Sequence, residues 1–255
     1  MRVIGFIAAA VILSSPAPGL AQPPSPQASA SLAGAERGGG EWERFVSTED
    51  GFSATFPGTP KVESMTYDTE YRQQLPARVY SAQDRMGRYS TTVVDYRGLE
   101  TLHNATVARC RAAKGANGFD GDACQNDFRV DVAGAMDYAA WSLMKRDGVK
   151  TTHYMWYFLE LVAGRLLQLT NPDQSRTFAV IHQHDGRLYI QQATVQPRMP
   201  EPILFMQNLG FVNEKGLNIR YKTFYTEGYA AEWQFPIATK PPHTLRDQTA
   251  ADYAP

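Results

Sequence analysis

The sequence has only two cysteines, no excess of basic residues and, beyond its N-terminal segment, no long apolar run. Its 255 residues carry 25 Lys and Arg against 26 Asp and Glu, a formal net charge of −1. This balance argues against binding to nucleic acid or to an anionic membrane, because both need a clustered positive field. A bilayer span takes about 20 apolar residues, so none is expected after the N-terminal segment.

Catalytic motifs are missing as well. A hydrolase needs a nucleophile held against a base, and no G-x-S-x-G elbow is present. Ser175, His182 and Asp173 have the residue types of a catalytic triad, but Ser175 lies in a stretch typical of a turn. We therefore predict no catalytic residue and no cofactor, and we expect the protein not to be an enzyme.

Residues 1–21 have the pattern of an export signal. Arg2 supplies the positive charge, residues 3–13 form an apolar core, and small residues stand at the two cleavage-specifying positions, Gly19 and Ala21. The core is too short to span a bilayer. We expect cleavage near Ala21 and a periplasmic or secreted protein.

Composition divides the rest of the chain into three parts. Residues 22–40 are mostly Pro, Ser, Ala and Gly, which predicts a disordered linker. Residues 41–235 hold the periodic apolar segments and predict a single globular domain, long enough for one good core. Residues 236–255 are polar and rich in proline, which predicts a flexible tail.

The two cysteines, Cys110 and Cys124, are predicted to form one disulfide, since an isolated pair in an exported protein most simply does so. The segment between them is rich in Gly, Asn and Asp. Closing a loop of this size is worth about 3 kcal/mol in the chain-entropy model. The spacing is not C-x-x-C, which argues against a redox site.

Hydrophobic periodicity predicts an α+β fold, an antiparallel β-sheet packed with two or three helices. A meander of four strands is expected over residues 151–195, with turns at Ala163-Gly164 and at Asp185-Gly186. Asp131 is expected to cap the second helix and Gly148 to end it. The other predicted elements are strands at 52–56, 78–83, 89–96 and 217–225 and helices at 100–114 and 202–210.

Three short segments carry a family resemblance. They are GFSATFPGTPKVE at 51–63, LQLTN at 167–171 and LFMQNLGF at 204–211. With them, residues 42–214 resemble the secreted PsbP-like fold and a group of uncharacterised exported bacterial proteins. The resemblance implies a PsbP-like sandwich and an accessory or binding role, and no catalytic residue carries over from it.

The best metal candidate is the pair His182 and His184. Residues two apart on a strand face the same side, so both imidazoles could reach one zinc or copper ion, with His153 from another strand as a third ligand. The alternative is that both are polar residues at the exposed end of a hairpin.

Glu160 is the most conspicuous acid, because it stands among Leu159, Leu161 and Val162. A buried carboxylate there would indicate function, whereas a structural role would pair it with Arg165. The aromatic run beside it places Tyr154, Trp156 and Phe158 on one strand face, and we expect the run mainly to fill the core, with one of its two faces free to cover a helix or line a cleft.

These observations favour an exported, soluble, non-catalytic domain that binds an unknown envelope protein or small ligand. The alternative is an envelope metal-binding protein or metal-dependent hydrolase that uses His182, His184 and His153. A third hypothesis is a partner-binding protein whose predicted strand 217–225, with Arg220 and Lys222 on one face, offers an edge for association.

Overall fold

A computed structural model of the protein describes residues 41–114 and 124–227. The predicted signal, linker and tail lie outside the described residues. The elements are β1 (Trp42–Ser47), β2 (Phe52–Pro57), β3 (Lys61–Asp68), β4 (Gln74–Gln83), β5 (Gly87–Asp95), α1 (Leu99–Lys114), α2 (Phe128–Met144), β6 (Lys150–Leu159), β7 (Val162–Thr170), β8 (Arg176–His184), β9 (Arg187–Val195), α3 (Ile203–Met206) and β10 (Gly210–Phe211).

Two antiparallel sheets form the framework. The larger has the strand order β3-β4-β5-β9-β8-β7-β6, and the smaller has the order β1-β2-β10. The predicted α+β class and the predicted four-strand meander, β6 to β9, are confirmed. Within the described residues, no helix is long and apolar enough to cross a membrane.

The large sheet is covered on both faces, which gives two cores. Phe178 and Val180 of β8 pack with the small sheet and α3, in what we call the sandwich core. Ala179 and Ile181 of β8 pack with α2 in what we call the helix core. Since both faces of β8 are buried, its apolar residues form a run instead of alternating with polar ones.

The helix boundaries differ from those predicted. The second helix begins at Phe128, so Asp131 lies in its first turn with a buried carboxylate and is not the cap. The helix ends at Met144, and Gly148, with φ +70°, belongs to the turn that follows. The predicted disulfide between Cys110 and Cys124 is present and joins the end of α1 to the chain that enters α2.

The β6–β7 turn is formed by Glu160 and Leu161, both with positive φ, and not by Ala163 and Gly164. Gly164 lies inside β7, where a Cβ atom would come within 2.5 Å of the His182 ring. This glycine is therefore required by packing, although its residue type alone suggested a turn.

The predicted strand 217–225 is wrong. Residues 217–227 form an irregular segment, which we call the strap, held by isolated bridges that pair Val212 with Asn218 and Val162 with Tyr225. Strand β3 was not predicted, because five of its eight residues are charged or polar at an exposed sheet edge.

Candidate functional site

The two neighbouring histidines share one face of β8, as predicted, but both are buried in the sandwich core. His182 Nδ1 is 3.2 Å from the carbonyl oxygen of Ala163. His184 Nε2 is 2.6 Å from the Tyr221 hydroxyl of the strap, and its ring stacks on Phe211. Burial lowers the pKa of each imidazole to about 4, so both are neutral at pH 7. The alternative, that both histidines lie at the exposed end of a hairpin, is therefore wrong.

His153 does not join them. It lies on the exposed strand β6 in register with Gln168, whereas His182 is in register with Gly164. Its Nε2 atom is 3.1 Å from the sulfur of Met155. Across residues 41–114 and 124–227, no group of three or more His, Cys, Asp and Glu side chains is placed to hold a metal ion.

Glu160 lies in the β6–β7 turn with its side chain 46% exposed, so it is not a buried acid. Its nearest described cation is Arg220, at 4.0 Å, and not Arg165 as predicted. Arg165 instead binds Asp137 of α2 through Nε at 2.7 Å. Ser175 donates its hydroxyl hydrogen bond to Asp173 at 2.6 Å within the β7–β8 turn, which agrees with the turn role predicted for it.

Strand β6 has the feature that best indicates a function. Tyr154, Trp156 and Phe158 are 42%, 64% and 46% exposed, so this face of the run does not fill the core. Tyr157, on the other face, packs against the sandwich core. The reason for the exposure is position, because β6 is the last strand of the large sheet and α2 packs on β7, β8 and β9 instead. The sequence reveals the aromatic face but not that it stays partly exposed, with Arg165 against Trp156 and Phe224 against Phe158.

The backbone of β6 is open along the same residues. Leu159 and Val162 flank the two-residue turn and form a hydrogen-bonded pair, so Phe158, Trp156 and Tyr154 occupy the alternate positions. Their N–H and C=O groups therefore point away from β7, toward the open edge. Ala163, which is paired with Phe158, confirms this hydrogen-bonding pattern. Its N–H points away from β6 and donates to the carbonyl oxygen of Tyr225.

Aromatic and cationic groups surround this edge. The Arg165 guanidinium lies 4.1 Å from the Trp156 ring centroid, and the Phe224 ring of the strap lies 4.7 Å from that of Phe158. Strand β6 itself carries Lys150 and no acid. We call this area the β6 edge surface, formed by Lys150, Tyr154, Trp156, Phe158, Arg165 and Phe224.

Two acids lie at the border of this surface, Asp137 of α2 and Glu160 of the β6–β7 turn. Partial burial would raise the pKa of Asp137, but hydrogen bonds from Arg165 and Tyr154 outweigh that effect and lower the pKa. The Tyr154 hydroxyl donates to Asp137 at 2.5 Å. Asp137 therefore holds the side chains of Arg165 and Tyr154 in place.

The opposite edge of the sheet, β3, is built differently. It carries Lys61, Glu63 and Asp68, and Lys61 and Glu63 form an ion pair at 2.8 Å. Charged side chains on an edge strand disfavour addition of another strand. On β6 a register shift between Thr151 and His153 disturbs only the beginning of the strand, and the pairing from His153 to Leu159 is regular.

Comparisons with known proteins add the following. No family model matches the chain, and no curated protein matches it. Among solved structures, the chain is similar to the solution structure of cyanobacterial PsbP from Synechocystis sp. PCC 6803. The two are 12% identical, the match covers 65% of this chain and 88% of that one, and the TM-score is 0.34. The match agrees with the PsbP-like resemblance of the sequence.

Proposed function

We propose that this protein is an exported, non-catalytic binding domain that adds an extended, acidic segment of an envelope protein to strand β6. One observation carries the proposal: Tyr154, Trp156 and Phe158 combine open backbone hydrogen-bonding groups with exposed aromatic side chains. In this proposal the partner binds at β6, and not at the strand 217–225 predicted from the sequence.

An extended polypeptide suits this edge for two reasons. Main-chain hydrogen bonds to an open strand supply affinity for any extended chain, and side chains on alternate positions supply specificity. Exposed Trp and Tyr residues are the types that most often carry binding energy at protein interfaces. Trp156 lies in the middle of the open stretch, flanked by Tyr154 and Phe158.

The charge of the surface favours an acidic partner. Strand β6 carries Lys150, and Arg165 lies against Trp156; of these two, only Arg165 has an acid bound to it among the described residues, Asp137. Opposite charge on the partner would speed association and exclude basic competitors.

Export is supported by the sequence pattern of residues 1–21. The histidine-based alternative gains no support, because His182 and His184 are buried and His153 lies apart from them.

The test is a titration of isotope-labelled protein, expressed from the full sequence, with two synthetic peptides followed by NMR. In the first peptide every second residue is glutamate, and the residues between are threonine or valine. The second peptide is the same except that lysine replaces glutamate. We expect the acidic peptide to shift the backbone amide resonances of Tyr154, Trp156 and Phe158. The Trp156→Lys variant should bind this peptide at least about tenfold more weakly, as expected for loss of a central aromatic contact.

The matched control is Val62→Lys, which places the same charge at an exposed apolar position on the opposite edge strand β3. This variant should bind the acidic peptide like the unmodified protein. Shifts that map to β3, equal binding of both peptides, or unchanged binding by Trp156→Lys would each refute the proposal.

A further inference from the structure

Strand β6 has the properties of an edge that pairs with a second copy of itself. It is the last strand of the large sheet, and its pairing with β7 is regular over residues 153–159. Edge strands that stay unpaired are usually protected by charged residues or by bulges along their length. Among Lys, Arg, Asp and Glu, β6 carries Lys150 alone, and this residue precedes the bulge between Thr151 and His153. The stretch beyond the bulge therefore favours addition of another strand.

Symmetry limits how two such edges can meet. Two copies that extend one sheet across a shared edge are related by a two-fold axis perpendicular to the sheet, which makes their β6 strands antiparallel. The outward-pointing N–H and C=O groups belong to Tyr154, Trp156 and Phe158, so hydrogen-bonded pairs form among these positions. An axis through Met155 pairs Tyr154 with Trp156 of the second copy, and an axis through Trp156 pairs Tyr154 with Phe158 of the second copy.

Charge complementarity selects the register. With the axis at Met155, Lys150 at the beginning of one strand lies opposite Glu160 at the end of the other, and the symmetry gives this pair twice. A shift of the axis by one residue would place Phe158 or Val162 opposite Lys150 instead. The Glu160 side chain is 46% exposed, so its carboxylate is accessible to a second copy. Both side chains are long enough to span the one-residue offset of the bulge.

The neighbours of the edge are compatible with this register. Helix α2 packs mainly on β7, β8 and β9. Phe224 of the strap contacts Phe158, at a ring distance of 4.7 Å. With the axis at Met155, Phe158 lies opposite Thr152 of the second copy, so the strap stays outside the central pairs.

We propose that two copies of this protein join their β6 strands antiparallel about an axis at Met155 and form one continuous sheet. Tyr154 of each copy then faces Trp156 of the other, and cross-strand aromatic pairs of this kind are favourable. Dimer formation in this way rests on the proposed function in one respect, the use of β6 for strand addition. An acidic segment and a second copy need the same backbone groups, so each excludes the other.

A cysteine cross-link tests the position of the axis. Met155 would face Met155 of the second copy as a non-hydrogen-bonded pair, with Cα atoms about 4.5 Å apart, and a disulfide needs about 4.4–6.8 Å. We expect Met155→Cys to yield a disulfide-linked dimer in a buffer of reduced and oxidised glutathione, detected by mass without reduction. Val62→Cys is the matched control, because Val62 on β3 is 47% exposed and Met155 is 48% exposed. This control should cross-link at least about tenfold more slowly, since its thiols are not held together.

Charge reversal tests the register by a second route. Sedimentation equilibrium of the protein expressed from the full sequence, over about 5–500 μM, should show a monomer–dimer equilibrium. Lys150→Glu and Glu160→Lys should each weaken the dimer about fivefold, because like charges replace two exposed ion pairs. The variant with both changes restores the opposite charges and should dimerise like the unmodified protein. Weaker dimerisation of this double variant than of either single variant would refute the register.

The acidic peptide separates this inference from the proposed function. At saturation it should convert the dimer to peptide-bound monomer. A protein that stays monomeric throughout, or Met155→Cys that cross-links no faster than Val62→Cys, would overturn the β6 dimer. So would a dimer that persists after the peptide has shifted the β6 amide resonances, because its interface would lie elsewhere. Failure of the proposed function has a different signature, which is rapid cross-linking of Met155→Cys together with no effect of the peptide on β6.

Discussion

His182 and His184 are neutral residues in a core that protonation would disrupt. Burial is the main cause that lowers the pKa of each ring to about 4 in the folded protein, against about 6.5 for an unperturbed histidine. Between these values the unfolded chain binds protons that the folded protein does not. The stability contributed by neutral histidines is therefore fully present above pH 6.5 and is lost as the pH falls toward 4.

We predict that a change from pH 7 to pH 5 lowers the free energy of unfolding by about 2 kcal/mol for each of these two histidines. The measurement is urea unfolding at both pH values. His182→Gln should be less stable at both, but its difference between pH 7 and pH 5 should be smaller by about 2 kcal/mol. His153→Gln, at an exposed position on β6, should keep the full difference, and an equal reduction in this control would contradict the assignment.

At the scale of elements, the strap seals the end of the sandwich core above His184. Ile219 N–H donates to the Phe211 carbonyl at 2.7 Å, and Ala163 N–H donates to that of Tyr225 at 2.9 Å. The Glu227 carboxylate accepts a hydrogen bond from the Gly186 N–H. An irregular segment, and not the predicted strand, covers this end of the core, because its hydrogen bonds go to turns and strand ends.

Deletion of residues 217–255 should lower the free energy of unfolding by at least about 3 kcal/mol, because three partly buried side chains leave the core. These are Ile219, Tyr221 and Tyr225. Leu217→Ser, which changes an exposed strap residue, should alter stability by less than about 0.5 kcal/mol. Urea unfolding followed by far-UV circular dichroism measures both. A truncated protein as stable as the full chain would show that the strap is not part of the core.

At the scale of the whole molecule, the two cores share one sheet. Phe56 lies in the sandwich core and Leu167 in the helix core, and both are fully buried. Alternate residues of β8 belong to one core or the other, so neither core can open without loss of the strand between them.

The described domain is therefore expected to unfold in one cooperative transition. Phe56→Ala should lower its stability by about 3–5 kcal/mol and Leu167→Ala by about 2–5 kcal/mol. Both should shift the same transition, measured in urea by tryptophan fluorescence and by far-UV circular dichroism. Separate midpoints for the two signals, or a shift confined to one signal, would mean that the two cores unfold independently.

Local signals were sufficient for the elements that depend only on neighbouring residues. The four strands of the meander, the turn at Asp185 and Gly186 and the bond between Cys110 and Cys124 were all predicted. Each of these signals is compatible with few structures. They are the alternation of apolar residues, a dipeptide that tolerates positive φ, and a single pair of cysteines. Gly164 led to a wrong turn prediction. The glycine is needed because the ring of His182, a residue distant in sequence, leaves no space for a Cβ atom.

The sequence by itself therefore determined the class of fold, most strands and the face on which each side chain lies. Only the tertiary structure decided what covers each face. Alternation placed Tyr154, Trp156 and Phe158 together, but the order of strands left β6 at the edge and these rings exposed. The same holds for His184 and Asp131, which are buried by segments far away in the chain. Burial depends on contacts between distant residues, and periodicity reports only on near ones.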